Sequence, residues 1–324
     1  MVELKKELEN NLAKIAFLGN FRVSYASETH HWKTLESMGH TVTKLQETEA
    51  TSEQVLETAL ESDLFIWVHT HGWNTPGKMD MAEVLDKLKE NKIITMTYHL
   101  DLWFGLDRQK DLDKDPVYKH IQHFFTVDPQ MADWFNKETN VKGHYLPAGV
   151  YDKECEYIRQ PFKNEIIFVG SKRYHKEWQY RPTLINWLTA TYKRRFGLWG
   201  ADGKGARRDR NLNNLYSSTK IVVGDTLCPG FNYPGYWSDR IYETMGRGGF
   251  IIHPYIPGLE KEFNDREHVV FYEYNNFKQL KELIDYYLEH SDEREAIRIA
   301  GHELVKSKYT YKNRWEHILK ELGI

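Results

Sequence analysis

Short apolar runs that stop at a glycine or a polar turn alternate along this chain with stretches whose apolar residues fall at helical spacing. Lys14–Gly19 is the first such run, and its ending is typical of a strand buried in a parallel sheet. The spacing predicts a helix over residues 29–38, stopped by Gly39, then strands over 41–45, 63–69, 93–98, 120–127 and 145–150. Helices over 51–61 and 81–89 separate the earlier ones. The pattern then restarts. Residues 165–170 repeat the design of Lys14–Gly19, and a helix follows from Arg181-Pro182, with proline in its first turn. Further strands are expected over 195–198, 221–224, 250–253 and 268–271, and helices over 212–217 and 239–245.

The tail reads as helical. Leu280, Leu283, Ile284, Tyr287 and Leu288 share one helix face. Asp292 with Glu295 has the spacing of a capping box, and residues 311–322 form a last helix carrying Trp315, Ile318 and Leu319. Strands alternating with helices imply parallel sheets covered on both faces. The expected class is therefore α/β with two Rossmann-like domains. An N-terminal domain covers 1–150, a charged linker 151–164, a second domain 165–308, and a C-terminal helix 309–324 that crosses back to the first.

Composition supports a globular chain of two ordinary domains: 324 residues, 40% hydrophobic and 28% charged. The net charge of −3 removes any global basic field that would draw the protein to nucleic acid. Two cysteines, Cys155 and Cys228, support neither a disulfide framework nor a four-cysteine metal site. Residues 1–11 are charged and lack a signal-peptide core, and no run is apolar enough to span a bilayer, so a cytoplasmic location is expected.

The chemistry concentrates between Tyr233 and His253. Ser238 reads as a helix cap and Asp239 as a first-turn acid. A helix opening at a sheet's carboxyl edge presents free N–H groups suited to a diphosphate. Glu243, on that helix, could accept hydrogen bonds from the two vicinal hydroxyls of a ribose. After the preceding strand, Gly170 opens a loop containing Arg173, Lys176 and Arg181, cations suited to a leaving diphosphate; Arg240 is a further one.

Ser238-x-Arg240-x-x-Glu243, the glycines after it, Pro257-Gly258-Leu259-Glu260 and Tyr309-Thr310-Tyr311-x-x-Arg314 resemble the CgeB-like glycosyltransferases. That group lies within the glycogen-synthase-like GT-B superfamily. The close resemblance spans residues 165–322. Thr97-Tyr98-His99-Leu100-Asp101 is similar to the superfamily's strand-end histidine segment, and Leu146-Pro147-Ala148-Gly149-Val150 to its strand end with asparagine replaced by Ala148.

The resemblance implies two domains facing a cleft, with a nucleoside diphosphate sugar held by the second and an acceptor by the first. Glu243 would grip the donor ribose. Superfamily members often carry a second glutamate eight residues earlier; here Gly235 stands there, so the sugar contact passes to Asp225, Tyr236 or backbone amides. His99 could contact the donor sugar, and Asp101 could deprotonate the acceptor if the reaction inverts. Gly19, Arg22, His69 and His71 lie at the ends of N-terminal strands and are expected on the acceptor side.

The expected activity is transfer of a hexosyl or pentosyl group to a hydroxyl, without cofactor or metal, with retention by superfamily analogy. A nucleotide-sugar epimerase and a non-catalytic nucleotide-sugar binding protein remain alternatives. Seven basic residues among 193–195 and 204–210 leave a minority reading in which the acceptor is a modified DNA base. Asp111-Leu112-Asp113 has metal-site form but sits in a charged stretch and reads as a solvated loop.

Overall fold

A computed structural model of the protein describes residues 12–104, 106–173, 179–226 and 233–324. They form two compact units. The first holds the described residues up to Leu146 together with those from Tyr311 to Ile324, and the second holds the described residues from Pro147 to Thr310.

In the first unit, β1 (Lys14–Gly19), β2 (Thr41–Gln46), β3 (Leu64–Trp67), β4 (Ile94–His99), β5 (His123–Thr126) and β6 (Lys142–Tyr145) build a parallel sheet. Its order is β2-β1-β3-β4-β5-β6. The helices between are α1 (Ser27–Ser37), α2 (Ser52–Leu60), α3 (Met81–Glu90), α4 (Val117–His120) and α5 (Pro129–Glu138). In the second unit, β7 (Asn164–Val169), β8 (Phe196–Trp199), β9 (Thr219–Val223), β10 (Ile251–Pro254) and β11 (Val270–Tyr272) form another parallel sheet, ordered β11-β10-β9-β7-β8. With it come α6 (Tyr180–Tyr192), α7 (Asp209–Ser217), α8 (Arg240–Gly246), α9 (Phe277–Glu289) and α10 (Ser291–Lys308). In both sheets the first strand is internal: β1 lies between β2 and β3, and β7 between β8 and β9. The direction of winding reverses at those strands, which opens a crevice at their carboxyl ends.

Side chains alternate across β1 with period two. Ala16 and Leu18 join Val55, Val84, Leu88, Met131 and Phe135 on one face. Ile15 and Phe17 join Leu35 on the other, along with Trp315, Ile318, Leu319 and Leu322 from the last helix, α11 (Tyr311–Leu322). The final twelve-residue helix thus completes the core of the first sheet. Trp315 Nε1 donates to His31 Nδ1 at 3.1 Å, and the His31 ring stacks on Tyr311 with centroids 4.2 Å apart. Burial pushes the His31 pKa down to about 3, so the ring stays neutral and its bare nitrogen accepts the indole proton. Trp315→Phe is expected to cost about 1–2 kcal/mol, because it leaves that acceptor unsatisfied and a small void. A urea titration reads this as a lower midpoint with unchanged slope.

Three local expectations shift. The strand expected over 145–150 lies earlier, at Lys142–Tyr145. Pro147 offers no N–H to a ladder, and Gly149 passes so close to the Tyr309 carbonyl that a Cβ there would approach its oxygen to 2.6 Å. Asp292 and Glu295 make no capping box: α10 starts at Ser291 with no side-chain cap, and Glu295 instead pairs with Arg298 at 3.1 Å. The helix α5 had no counterpart in the sequence reading. Asp128 caps it, accepting from Gln130 N at 3.0 Å and Met131 N at 3.2 Å, and Pro129 opens its first turn. No described helix is long and apolar enough to cross a membrane.

Candidate functional site

Several of the expected donor residues meet at the carboxyl edge of the second sheet, where β7 and β9 diverge. β7 is followed directly by Gly170, whose φ of +142° favours glycine. The Arg240 guanidinium fills the space a side chain would need, 2.9 Å from where a Cβ would stand. Arg240 Nη1 donates to the Val169 carbonyl, and its guanidinium lies 5.5 Å from the Phe168 ring centre. Its Nε has no hydrogen-bond partner among the described residues. A cation fixed at a strand end is suited to a phosphate.

Arg181, from the first turn of α6, approaches the same strand end. Its Nε donates to Asp225 Oδ2 at 2.7 Å and its Nη1 to the Ser171 carbonyl at 3.4 Å. Both partners of this ion pair are buried, at 2% and 0% exposure. Burial weakens the hold of Arg181 on its proton and nearby Arg240 adds to that, while Asp225 opposes it. In this structure Asp225 therefore holds Arg181, and the pair braces the ends of β7 and β9 rather than presenting charge to solvent.

The loop entering α8 completes this edge. The helix begins at Arg240, with Asp239 at the cap position and no side-chain cap, so Ser238 does not cap it as expected. Instead the Ser238 N–H donates to Thr226 Oγ1 at 3.0 Å, and Ser238 Oγ has no partner among the described residues. Tyr236 is buried beside Tyr233. Gly235 has φ +82° and donates its N–H to the Pro257 carbonyl at 2.8 Å. A glutamate at that position would be strained. Glu243 lies one turn beyond Arg240, about one-third exposed, with Arg247 Nη2 at 3.8 Å. Arg247 is itself held by Glu154 and Asn213, so the Glu243 carboxylate keeps acceptor capacity.

Arg173 is exposed on the loop after Gly170, and Lys176 lies outside the described residues. Asp202 ties that loop to the one after β8 by accepting from Lys172 N at 2.6 Å. Part of the basic stretch is matched by acids: Arg195 binds Glu165 at 2.8 Å and Arg210 binds Glu156 at 3.2 Å. Arg207 lies 4.6 Å from the Trp199 ring centre.

His253 closes a strand in the sequence pattern and carries no expected role there. Its Nδ1 donates to the Pro254 carbonyl at 2.8 Å, which leaves Nε2 as a bare acceptor, buried and without a partner among the described residues. Burial lowers its pKa to about 4. The ring packs on Gly224 at the end of β9. The available signal was a histidine closing a strand at the sheet's carboxyl edge.

In the first unit the carboxyl edge carries a different constellation. His69, just past β3, has Nδ1 against Glu47 Oε1 and Nε2 against Asp115 Oδ2 at 2.7 Å. Glu47 also accepts from Trp67 Nε1 at 2.8 Å and from Thr70 N at 3.0 Å, and its own N–H donates to the Gly19 carbonyl at 3.1 Å. Burial alone would lower the His69 pKa, but the hydrogen bonds to Asp115 and Glu47 raise it to about 9. The ring is an imidazolium between two carboxylates. Neither acid was singled out in the sequence, because Glu47 follows one strand and Asp115 lies in a charged stretch, and only the fold brings them to His69.

A group whose pKa rises on folding stabilises the native state fully below its unfolded pKa, near 6.5, and loses that contribution as pH climbs through the folded value. Discounted for partial exposure, His69 is expected to contribute about 2 kcal/mol that disappears between about pH 6.5 and 9. His69→Gln should flatten that part of a urea-midpoint against pH curve.

The remaining expected residues are more scattered. Arg22 is exposed, pairs with Glu49 at 3.2 Å and lies 5.7 Å from the Trp73 ring centre. His71 packs edge-on against Trp103, with centroids 5.1 Å apart. His99 Nε2 accepts from Trp103 Nε1 at 2.7 Å, and its ring also meets Tyr118 and Phe124. That nitrogen is engaged inside an aromatic cluster. Asp101 is exposed in the bend after β4. Among the described residues no group of three or more His, Cys, Asp or Glu could hold a metal ion.

Two parallel sheets of this order, each with helices around it, define the GT-B fold, the architecture of a large class of glycosyltransferases. Residues 179–320 match the model of a family described as glycosyl transferase-like. No curated protein matches the sequence. Among solved structures, an α-glucosyltransferase in complex with UDP-glucose and DNA containing an abasic site superposes with a TM-score of 0.71 at 10% identity, over 96% of this chain and 100% of that one. The T4 phage BGT in complex with UDP-glucose gives 0.63 at 14% identity, over 95% and 98%. HepE of Anabaena with UDP-glucose gives 0.62 at 12%, over 95% and 100%.

Proposed function

We propose that this protein is a glycosyltransferase, CgeB-like in its C-terminal half, that moves a sugar from a nucleoside diphosphate sugar to an acceptor hydroxyl. The observation that carries the reading is Arg240, fixed against Gly170 at the β7/β9 divergence, with its Nε lacking a hydrogen-bond partner among the described residues. When the glycosidic bond breaks, its electron pair leaves with the diphosphate. A positioned guanidinium stabilises that growing charge without a metal ion. Ser238 Oγ adds a donor, and Glu243 receives the ribose hydroxyls. The acceptor's proton passes to the departing diphosphate as its oxygen bonds to the anomeric carbon. The first unit takes the acceptor, and the reaction retains configuration.

UDP-glucose is the first donor to try, since the three neighbours above are described with it. The full chain is incubated with UDP-glucose, with and without a mixture of saccharide acceptors, and the products are separated. UDP release that increases with acceptor supports transfer. An epimerised nucleotide sugar formed without acceptor, or tight binding with no turnover, contradicts it.

A further inference from the structure

Beside His69 the first unit holds a pocket of about 470 Å³. That is within the range of small-molecule sites, roughly 300–1,000 Å³. Trp67, Trp73, Asn74, Thr75, Asp80 and Asp115 are among its walls. Trp67 is buried with its N–H spent on Glu47, so Trp73, half-buried, offers the accessible ring. Thr75 Oγ1 has no partner among the described residues.

The charge of the walls decides what fits. Asp80 and Asp115 both face the pocket, with Glu47 behind His69. The positive charge of His69 is matched by two carboxylates in direct contact, leaving excess negative charge. Arg22, over Trp73, is matched by Glu49. An anionic ligand would meet like charge at close range. A sugar ring is suited to both features: its C–H face packs on an indole, and its hydroxyls donate to carboxylates.

Resting on the glycosyltransferase reading, we infer that this pocket is the acceptor subsite and selects a saccharide end bearing neither phosphate nor carboxylate, through the Trp73 ring and the Asp80 and Asp115 carboxylates. The nucleic-acid acceptor is thereby disfavoured at this site, because a phosphate backbone would enter an acidic pocket.

Saturation-transfer NMR on the full chain tests this with methyl β-glucopyranoside, methyl β-glucuronide and a short single-stranded DNA as probes. The neutral glycoside is expected to bind roughly tenfold tighter than either anion, and Trp73→Ala to weaken it by a similar factor. Asp80 caps α3 by accepting from Ala82 N at 2.8 Å, and asparagine caps equally well. Asp80→Asn should therefore preserve the fold while narrowing the gap between glycoside and glucuronide. Equal or tighter binding of the glucuronide or the DNA, no binding of the glycoside, or an unaffected Trp73→Ala overturns the inference. UDP is titrated into the wild-type protein in parallel. Saccharide binding without UDP binding defeats the donor reading alone, and UDP binding without saccharide binding defeats this inference alone.

Discussion

Arg240→Ala is expected to weaken UDP binding about 100-fold, close to 3 kcal/mol, in an isothermal titration. The side chain is already placed: one N–H holds the Val169 carbonyl, and the guanidinium sits against Gly170. Binding therefore requires little ordering of this arginine, and the diphosphate gains a fixed cation at a strand end. Lysine at the same position keeps the charge but loses the fork, so it should recover only part of the affinity. Glu243→Gln should cost about tenfold, since a neutral amide is a weaker acceptor for ribose hydroxyls. An Arg240→Ala variant that bound UDP as the parent does would place the diphosphate elsewhere.

Arg181→Met is expected to lower stability by about 3–5 kcal/mol, because it strands the Asp225 carboxylate in a buried site with its cation gone. The pair is wholly internal, with side chains 3% and 0% exposed. Arg181→Met combined with Asp225→Leu should regain most of the loss, since two apolar groups of similar volume cost little where an ion pair was buried. Urea midpoints of the three variants and the parent distinguish a brace between strand ends from two independent side chains. A single variant with unchanged midpoint would contradict the brace.

The elements most legible in the sequence were those whose signal is local. Lys14–Gly19 and Asn164–Val169 are apolar runs on which both faces are covered, and periodicity exposes them without tertiary knowledge. The stretch around Ser238–Glu243 could be found because a short helix with an acid one turn along sits between a loop and a buried strand. Its cap was misplaced by one residue, since Thr226, twelve positions earlier, holds the Ser238 amide. The Arg181–Asp225 pair and the Glu47–His69–Asp115 chain depend on distant segments meeting. No spacing rule within one segment reveals them. His99 differs, because the indole that donates to its Nε2 comes from the same segment, four residues on.

The central claim is that a nucleoside diphosphate rests at the carboxyl edge of β7 and β9. Hydrogen exchange of the full chain, measured with and without saturating UDP, tests it most directly. Slower exchange confined to the amides around Gly170–Ser171, Asp225–Thr226 and Gly235–Arg240 is the expected result. Protection that leaves those amides unchanged, or appears only within β1–β6, would contradict the account.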